Sequence, residues 1–243
     1  MIPSVVPVTY PRGLSASRPD FSQGPGGSSA LIVTLQLELS SDQRIGLLGQ
    51  TRMGKTFLAE RMLEQQPRVI VVDSKGFVKW KGYHLTSNPV AALTEDKVIY
   101  RPSDGKPPPG FWAEAVRSLH ARGGGVIYVD EMSYVTDSNR IDKGLADGFR
   151  LGGEIGVGFW YAAQESTTVH NTTLRQSEAL VMFYNQGASD RDKLGRIVGD
   201  MAYVTAYLQP WQFVVFERGE TYDGEAVPIY TVDTDGNSGN NGQ

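Results

Sequence analysis

The octapeptide GQTRMGKT, Gly49 to Thr56, constrains this chain more than any other segment. It fits the pattern G-x-x-x-x-G-K-[ST] and lies between an apolar run, RIGLL, and an amphipathic stretch, KTFLAERMLEQ, in the order strand, loop, helix. In such a loop the backbone N–H groups, together with those of the first helical turn, converge on one spot and make a site for phosphate oxygens. Gly49, Gln50, Thr51, Arg52, Met53, Gly54, Lys55 and Thr56 are therefore the expected nucleotide-binding residues. Lys55 is suited to reach the β and γ oxygens of ATP, and the Thr56 hydroxyl to ligate Mg2+. Glycine is expected at both ends because a Cβ would block close approach of backbone to phosphate.

Further apolar runs follow at regular intervals: RVIVVD at 68 to 73, KVIYR at 97 to 101, VIYVD at 126 to 130, VGFWYAA at 157 to 163 and ALVMFY at 179 to 184. They are apolar on both strand faces, as central parallel strands covered by helices are. Helices are expected from Lys55 to about Gln65, Phe111 to about Ala121, Arg140 to about Arg150 and Ser189 to about Val198. LIVTLQLEL at 31 to 39 alternates instead, which predicts an antiparallel or edge strand before the phosphate loop. QFVVFER at 212 to 218 and AVPIYTV at 226 to 232 predict two strands that pair as a terminal hairpin. The expectation is an α/β fold over residues 31 to 232, with a mostly parallel central sheet flanked by helices and extra antiparallel strands at its edges. Residues 1 to 30, rich in Pro, Gly and Ser, are expected to be an arm or linker, and 233 to 243 a disordered polar tail.

A second motif completes the first. GGGVIYVDEMSYV, Gly123 to Val135, is an apolar strand that ends in Asp130 and Glu131. At the carboxyl edge of a parallel sheet, which faces the ligand crevice, Asp130 is suited to orient Mg2+ and Glu131 to polarise an attacking water. VGFWYAAQ ends in Gln164, whose amide is suited to contact both the γ-phosphate and that water. A water-activating Glu favours hydrolysis over transfer to a metabolite, and no Arg-rich lid for a second phosphorylated substrate is present, so a small-molecule kinase is the weaker reading.

The chain has no cysteine, which excludes disulfides, iron–sulfur clusters, Cys-ligated zinc and a thiol nucleophile. Its three histidines, His84, His120 and His170, are too widely spaced for a local transition-metal motif. No apolar run reaches the ~20 residues that span a bilayer, and the first residues lack the order of a secretory signal, so a soluble protein is expected. The formal net charge is −4, so a nucleic-acid partner would be held by a local basic surface or a ring lumen.

These motifs together resemble the FtsK–HerA superfamily of DNA-pumping ATPases, from about Arg44 to Arg196. VVDSKG, Val71 to Gly76, is similar to the family's "hhhDpKGe" strand end, with Ser74 in place of Pro. GFRLGGEIGVGFWYAAQES, Gly148 to Ser166, resembles "R.GR..Gi....tQrp", with Gly153 where the second Arg stands and Glu165-Ser166 replacing Arg-Pro. TTLRQSEALVMFYNQGASDRDKL, Thr172 to Leu194, is similar to the segment that follows.

The resemblance implies a RecA-like (ASCE) P-loop NTPase that works as a ring oligomer, usually a hexamer. In such rings an arginine from one subunit completes the neighbour's site. Arg150 is the first candidate for that residue and Arg175 the second. The chain has no room for the membrane segments, winged helix or β-barrel of the larger members, and is most similar to the genome-packaging ATPases of tailless icosahedral viruses with an internal membrane. That similarity implies double-stranded DNA as the cargo, a capsid or portal-vertex protein as the anchor, and a location in the host cytoplasm or at a packaging vertex of the virion. Cations in RPSDGKPPPG, Arg101 to Gly110, and SYVTDSNRIDK, Ser133 to Lys143, are candidates for contacting DNA backbone. A cellular or plasmid HerA-like translocase shares this chemistry. A nucleotide-gated interaction module with little turnover is the alternative of another class.

Overall fold

The apolar runs from Arg44 onward all enter one sheet. The computed structural model describes residues 40, 42–219, 227 and 229–232; the expected arm, the alternating run at 31 to 39 and the expected tail lie outside them. The strands are β1 (Arg44–Leu48), β2 (Val69–Val72), β3 (His84–Thr86), β4 (Lys97–Tyr100), β5 (Gly125–Asp130), β6 (Val157–Ala163), β7 (Ala179–Phe183), β8 (Gln212–Glu217) and β9 (Tyr230–Thr231). Their spatial order is β3-β4-β2-β5-β6-β1-β7-β8-β9. All pairs are parallel except β7 with β8 and β8 with β9. The sheet is thus mostly parallel, with antiparallel strands at one edge, and the expected pairing of the last two strands is present.

The both-face apolar pattern has its counterpart in two cores. Ile70, Val72, Ile127 and Val129 join the core beneath α3 (Phe111–Ala121), α4 (Lys143–Leu151) and α6 (Ala188–Val198). Val69, Val71, Val126 and Tyr128 point to the other face, where α1 (Lys55–Leu63) and Trp80 cover them. Residues alternate between faces with period two, so each strand feeds both cores. Trp80 stacks on Tyr128 with ring centroids 5.2 Å apart.

Three departures from the expected elements have local causes. The helix expected from Arg140 begins at Lys143, because the Asp142 side chain accepts from the Gly144 and Leu145 N–H groups and caps it there. A short helix, α2 (Pro89–Thr94), was not expected, although Asn88 at the cap and Pro89 at the first position are its sequence signature. Helix α5 (Asn171–Gln176) was also missed; its cap is the His170 ring, which accepts from the Thr172 N–H, and its two threonines favour helix weakly. The short α7 (Met201–Val204) follows α6.

At the amino edge of the sheet Arg44 ties three elements together. It forms an ion pair with Glu178 just before β7 and donates to the Phe149 and Arg150 carbonyls at the end of α4.

Candidate active site

The carboxyl ends of β1, β6 and β5 lie side by side, with Leu48 opposite Ala163 and Ala162 opposite Asp130. Because β6 is inserted between the other two, Gly49, Gln164 and Asp130-Glu131 leave the sheet at one place. A cleft of about 420 Å³ opens there, lined by the phosphate loop, Asp130, Glu131 and Gln164 among others.

The phosphate loop is braced by the protein as well as shaped for a ligand. Gly49 has φ 139° and Gly54 φ 108°, both in the region that favours glycine. A Cβ on Gly49 would stand 2.8 Å from the Phe183 Cβ, and one on Gly54 2.7 Å from the Trp211 Cε3. The demand for glycine at these positions therefore comes from packing and dihedral angle, a reason additional to phosphate approach. Trp211 also donates its backbone N–H to the Met53 carbonyl and meets Phe57 edge-on, so the residue that leads into the antiparallel strand β8 supports the loop. The Lys55 ammonium donates to the carbonyls of Gly49 at 2.5 Å and Gln50 at 2.8 Å. Burial lowers its pKa to about 8, opposed by the charges of Glu131 and Asp130.

Thr56 at the start of α1 donates its hydroxyl to Asp130 Oδ1 at 2.9 Å, and the buried Tyr128 hydroxyl donates to the same oxygen at 3.0 Å. Burial pushes the Asp130 carboxyl up, and these two hydrogen bonds hold it down. A hydroxyl beside a single carboxylate suits Mg2+, which keeps several waters and takes its remaining oxygens from phosphates. Among the described residues no group of three or more His, Cys, Asp or Glu could hold a metal.

Glu131 has φ 91°, an unusual value for a residue with a side chain, which turns it out of the strand into the cleft. Its Oε1 accepts from the Ser133 hydroxyl at 2.9 Å and from the Gln164 backbone N–H at 3.2 Å, and its Oε2 from the Lys75 ammonium at 2.8 Å. Lys75 was assigned no role from sequence, although it stands three residues beyond the end of β2, the strand beside β5. Its turn is fixed by Asp73, whose buried carboxylate accepts from the N–H groups of Gly76, Phe77 and Val78 and from Arg101 Nε. Ser133, Tyr128, Asp73 and Trp211 were likewise given no role: Tyr128 and Ser133 lie two residues from the carboxylates they bond, whereas Asp73 and Trp211 meet Arg101 and Met53 only in the folded chain.

The structure thus gathers Lys55, Thr56, Asp130, Glu131 and Gln164. It does not bring Arg150 or Arg175 to them. Both are exposed at helix ends near the amino edge of the sheet, where Arg44 bonds the Arg150 carbonyl and Arg218 the Arg175 carbonyl. The two segments singled out for DNA contact, Arg101 to Gly110 and Ser133 to Lys143, follow β4 and β5 and so leave the sheet at its carboxyl edge. They lie near one another: the Asn139 and Arg140 N–H groups and the charges of Arg140 and Lys106 all favour ionised Asp137. Among the described residues no helix is long and apolar enough to cross a membrane.

No protein-family model matches the chain, and no curated protein matches its sequence. Solved structures do match its fold. The genome packaging NTPase B204 from Sulfolobus turreted icosahedral virus 2, in complex with ATP-gammaS, superposes with a TM-score of 0.68 at 13% identity, over 80% of this chain and 100% of that one. The pCW3 conjugation coupling protein TcpA matches with a TM-score of 0.56 at 12% identity, over 85% of this chain and 65% of that one. EssC ATPases 2 and 3 from Geobacillus thermodenitrificans match with a TM-score of 0.52 at 13% identity, over 82% of this chain and 41% of that one. The chain therefore shares its mostly parallel α/β fold with these nucleotide-binding proteins.

Proposed function

We propose that this protein is an ATP-hydrolysing motor that moves double-stranded DNA as a ring oligomer, most like the genome-packaging ATPases of viruses. The observation that carries the hydrolytic reading is the placement of Glu131 beside the Gln164 N–H and in one cleft with Lys55 and the Thr56–Asp130 pair. Loop N–H groups and Lys55 bind the β- and γ-phosphates of ATP. Mg2+, held through Thr56 and through waters on Asp130, would supply charge neutralisation at those oxygens. Glu131 takes a proton from a water as its oxygen bonds to the γ-phosphorus and the bond to the bridging oxygen of ADP breaks. Gln164 orients that water and reports loss of the γ-phosphate. Arg150 of a neighbouring subunit, or Arg175 in its place, is the proposed source of the completing cation.

The DNA reading rests on the resemblance, on the B204 fold match and on the pair of loops at the carboxyl edge. Lys106 and Arg140 would meet phosphates without reading sequence. A capsid or portal-vertex protein would anchor the ring.

The test is steady-state ATP hydrolysis with and without linear double-stranded DNA at low salt. The native chain should be stimulated by DNA, and Glu131→Gln should lose turnover by about 1000-fold or more while still binding ATP. Lys106→Ala with Arg140→Ala should keep basal turnover and lose the stimulation and its salt dependence. Hydrolysis indifferent to DNA would remove the translocation reading. Binding without turnover would instead favour the nucleotide-gated module.

A further inference from the structure

Glu131 must offer an oxygen to the attacking water, and both of its oxygens are engaged within the protein. The Oε1 bonds come from Ser133 and Gln164, neighbours in the same constellation. The Oε2 bond comes from Lys75, a cation on the turn after β2. The pair is largely withdrawn from solvent, with the Lys75 side chain 18% and the Glu131 side chain 6% exposed. The Lys75 charge is also felt at Lys55 and at Asp130, so the ammonium stands among the groups that meet phosphate. Its backbone cannot drift, because Asp73 holds the turn through three N–H groups and Arg101. The ammonium also lies over the Tyr134 ring, 5.4 Å from its centroid.

A terminal phosphate brought into this cleft carries more negative charge than Glu131 and competes for the same ammonium. A diphosphate lacks that terminal group, while Lys75 lines the same cleft as the phosphate loop. We propose that Lys75 is a positioning residue that reads the γ-phosphate: it holds Glu131 until a triphosphate draws its ammonium away, which frees Oε2 to take the proton of the attacking water. The proposal rests on the ATPase reading above. The covalent step is the hydrolysis already written, with the proton passing to Glu131 Oε2. Turnover is thereby confined to sites whose γ-phosphate is in contact with Lys75.

Isothermal titration calorimetry on the full chain, with Mg2+ and either ADP or the non-hydrolysable AMPPNP, tests this. Lys75→Met should weaken AMPPNP by about 10- to 100-fold, the range of a charge-assisted hydrogen bond, and change ADP affinity by less than about 2-fold. Lys75→Arg, which keeps the charge, should recover part of the AMPPNP affinity, and in the Met chain KM should rise further than kcat falls, because Oε2 is then free without a triphosphate. Lys75→Gln carries the same measurement if the Met chain does not fold. Equal weakening of both nucleotides would mark Lys75 as a structural ion pair, and no change in either would place it away from the γ-phosphate; each overturns the proposal. A native chain that binds neither nucleotide would overturn the ATPase reading and this inference together.

Discussion

One added methyl at position 54 measures how firmly the phosphate loop is braced. Gly54→Ala forces a side-chain residue into φ 108° and drives its Cβ to 2.7 Å from the Trp211 ring. Strain and overpacking together should cost about 3 kcal/mol, read from urea unfolding. Nucleotide affinity should fall as well, since loop N–H groups would shift. Gly54→Ala combined with Trp211→Ala should recover the steric part and leave the dihedral part. At this scale the phosphate loop, Asp130, Glu131 and Gln164 are legible in sequence because each follows a strand that its own apolar run reveals. Lys75 and Trp211 are not, because their importance comes from the residues that other strands place beside them.

Among the elements, the turn after β2 has a prediction of its own. The Asp73 side chain is fully buried, and Arg101, just beyond β4, is its cation. Arg101→Ala leaves that carboxylate without a counter-charge and should cost about 3 kcal/mol in urea unfolding, at the low end for a broken buried pair because three N–H bonds remain. Lys75 should lose its fixed origin as well. The six strands β1, β2, β4, β5, β6 and β7 are readable from β-rich segments, and their both-face pattern correctly implies helices on each side. β3 has three residues, and α2 and α5 have six each, too few for periodicity to show. The start of α4 was placed three residues early, since the apolar pattern does not reveal which acidic residue caps it.

For the molecule as a whole, the open question is what completes the cleft. Arg150 and Arg175 stand at the edge of the sheet away from their own phosphate loop, so either can serve a site only from another copy of the chain. Arg150→Ala and Glu131→Gln should each be inactive alone, yet a mixture should regain turnover at about one site in four by random assembly. A mixture that stays inactive would remove Arg150 from that role and turn attention to Arg175. The proposed function requires a chain of net charge −4 to concentrate cations where DNA would pass, and Lys106 and Arg140 are the residues to change first. What the sequence determined by itself is the α/β class, the phosphate loop and the carboxylate strand, because apolar period and loop chemistry are local. Only the tertiary structure decided that β6 separates β1 from β5, that Lys75 closes on Glu131, and that Trp211 braces the loop. Those contacts join residues far apart in the chain, and their geometry follows from strand order, which no local pattern encodes.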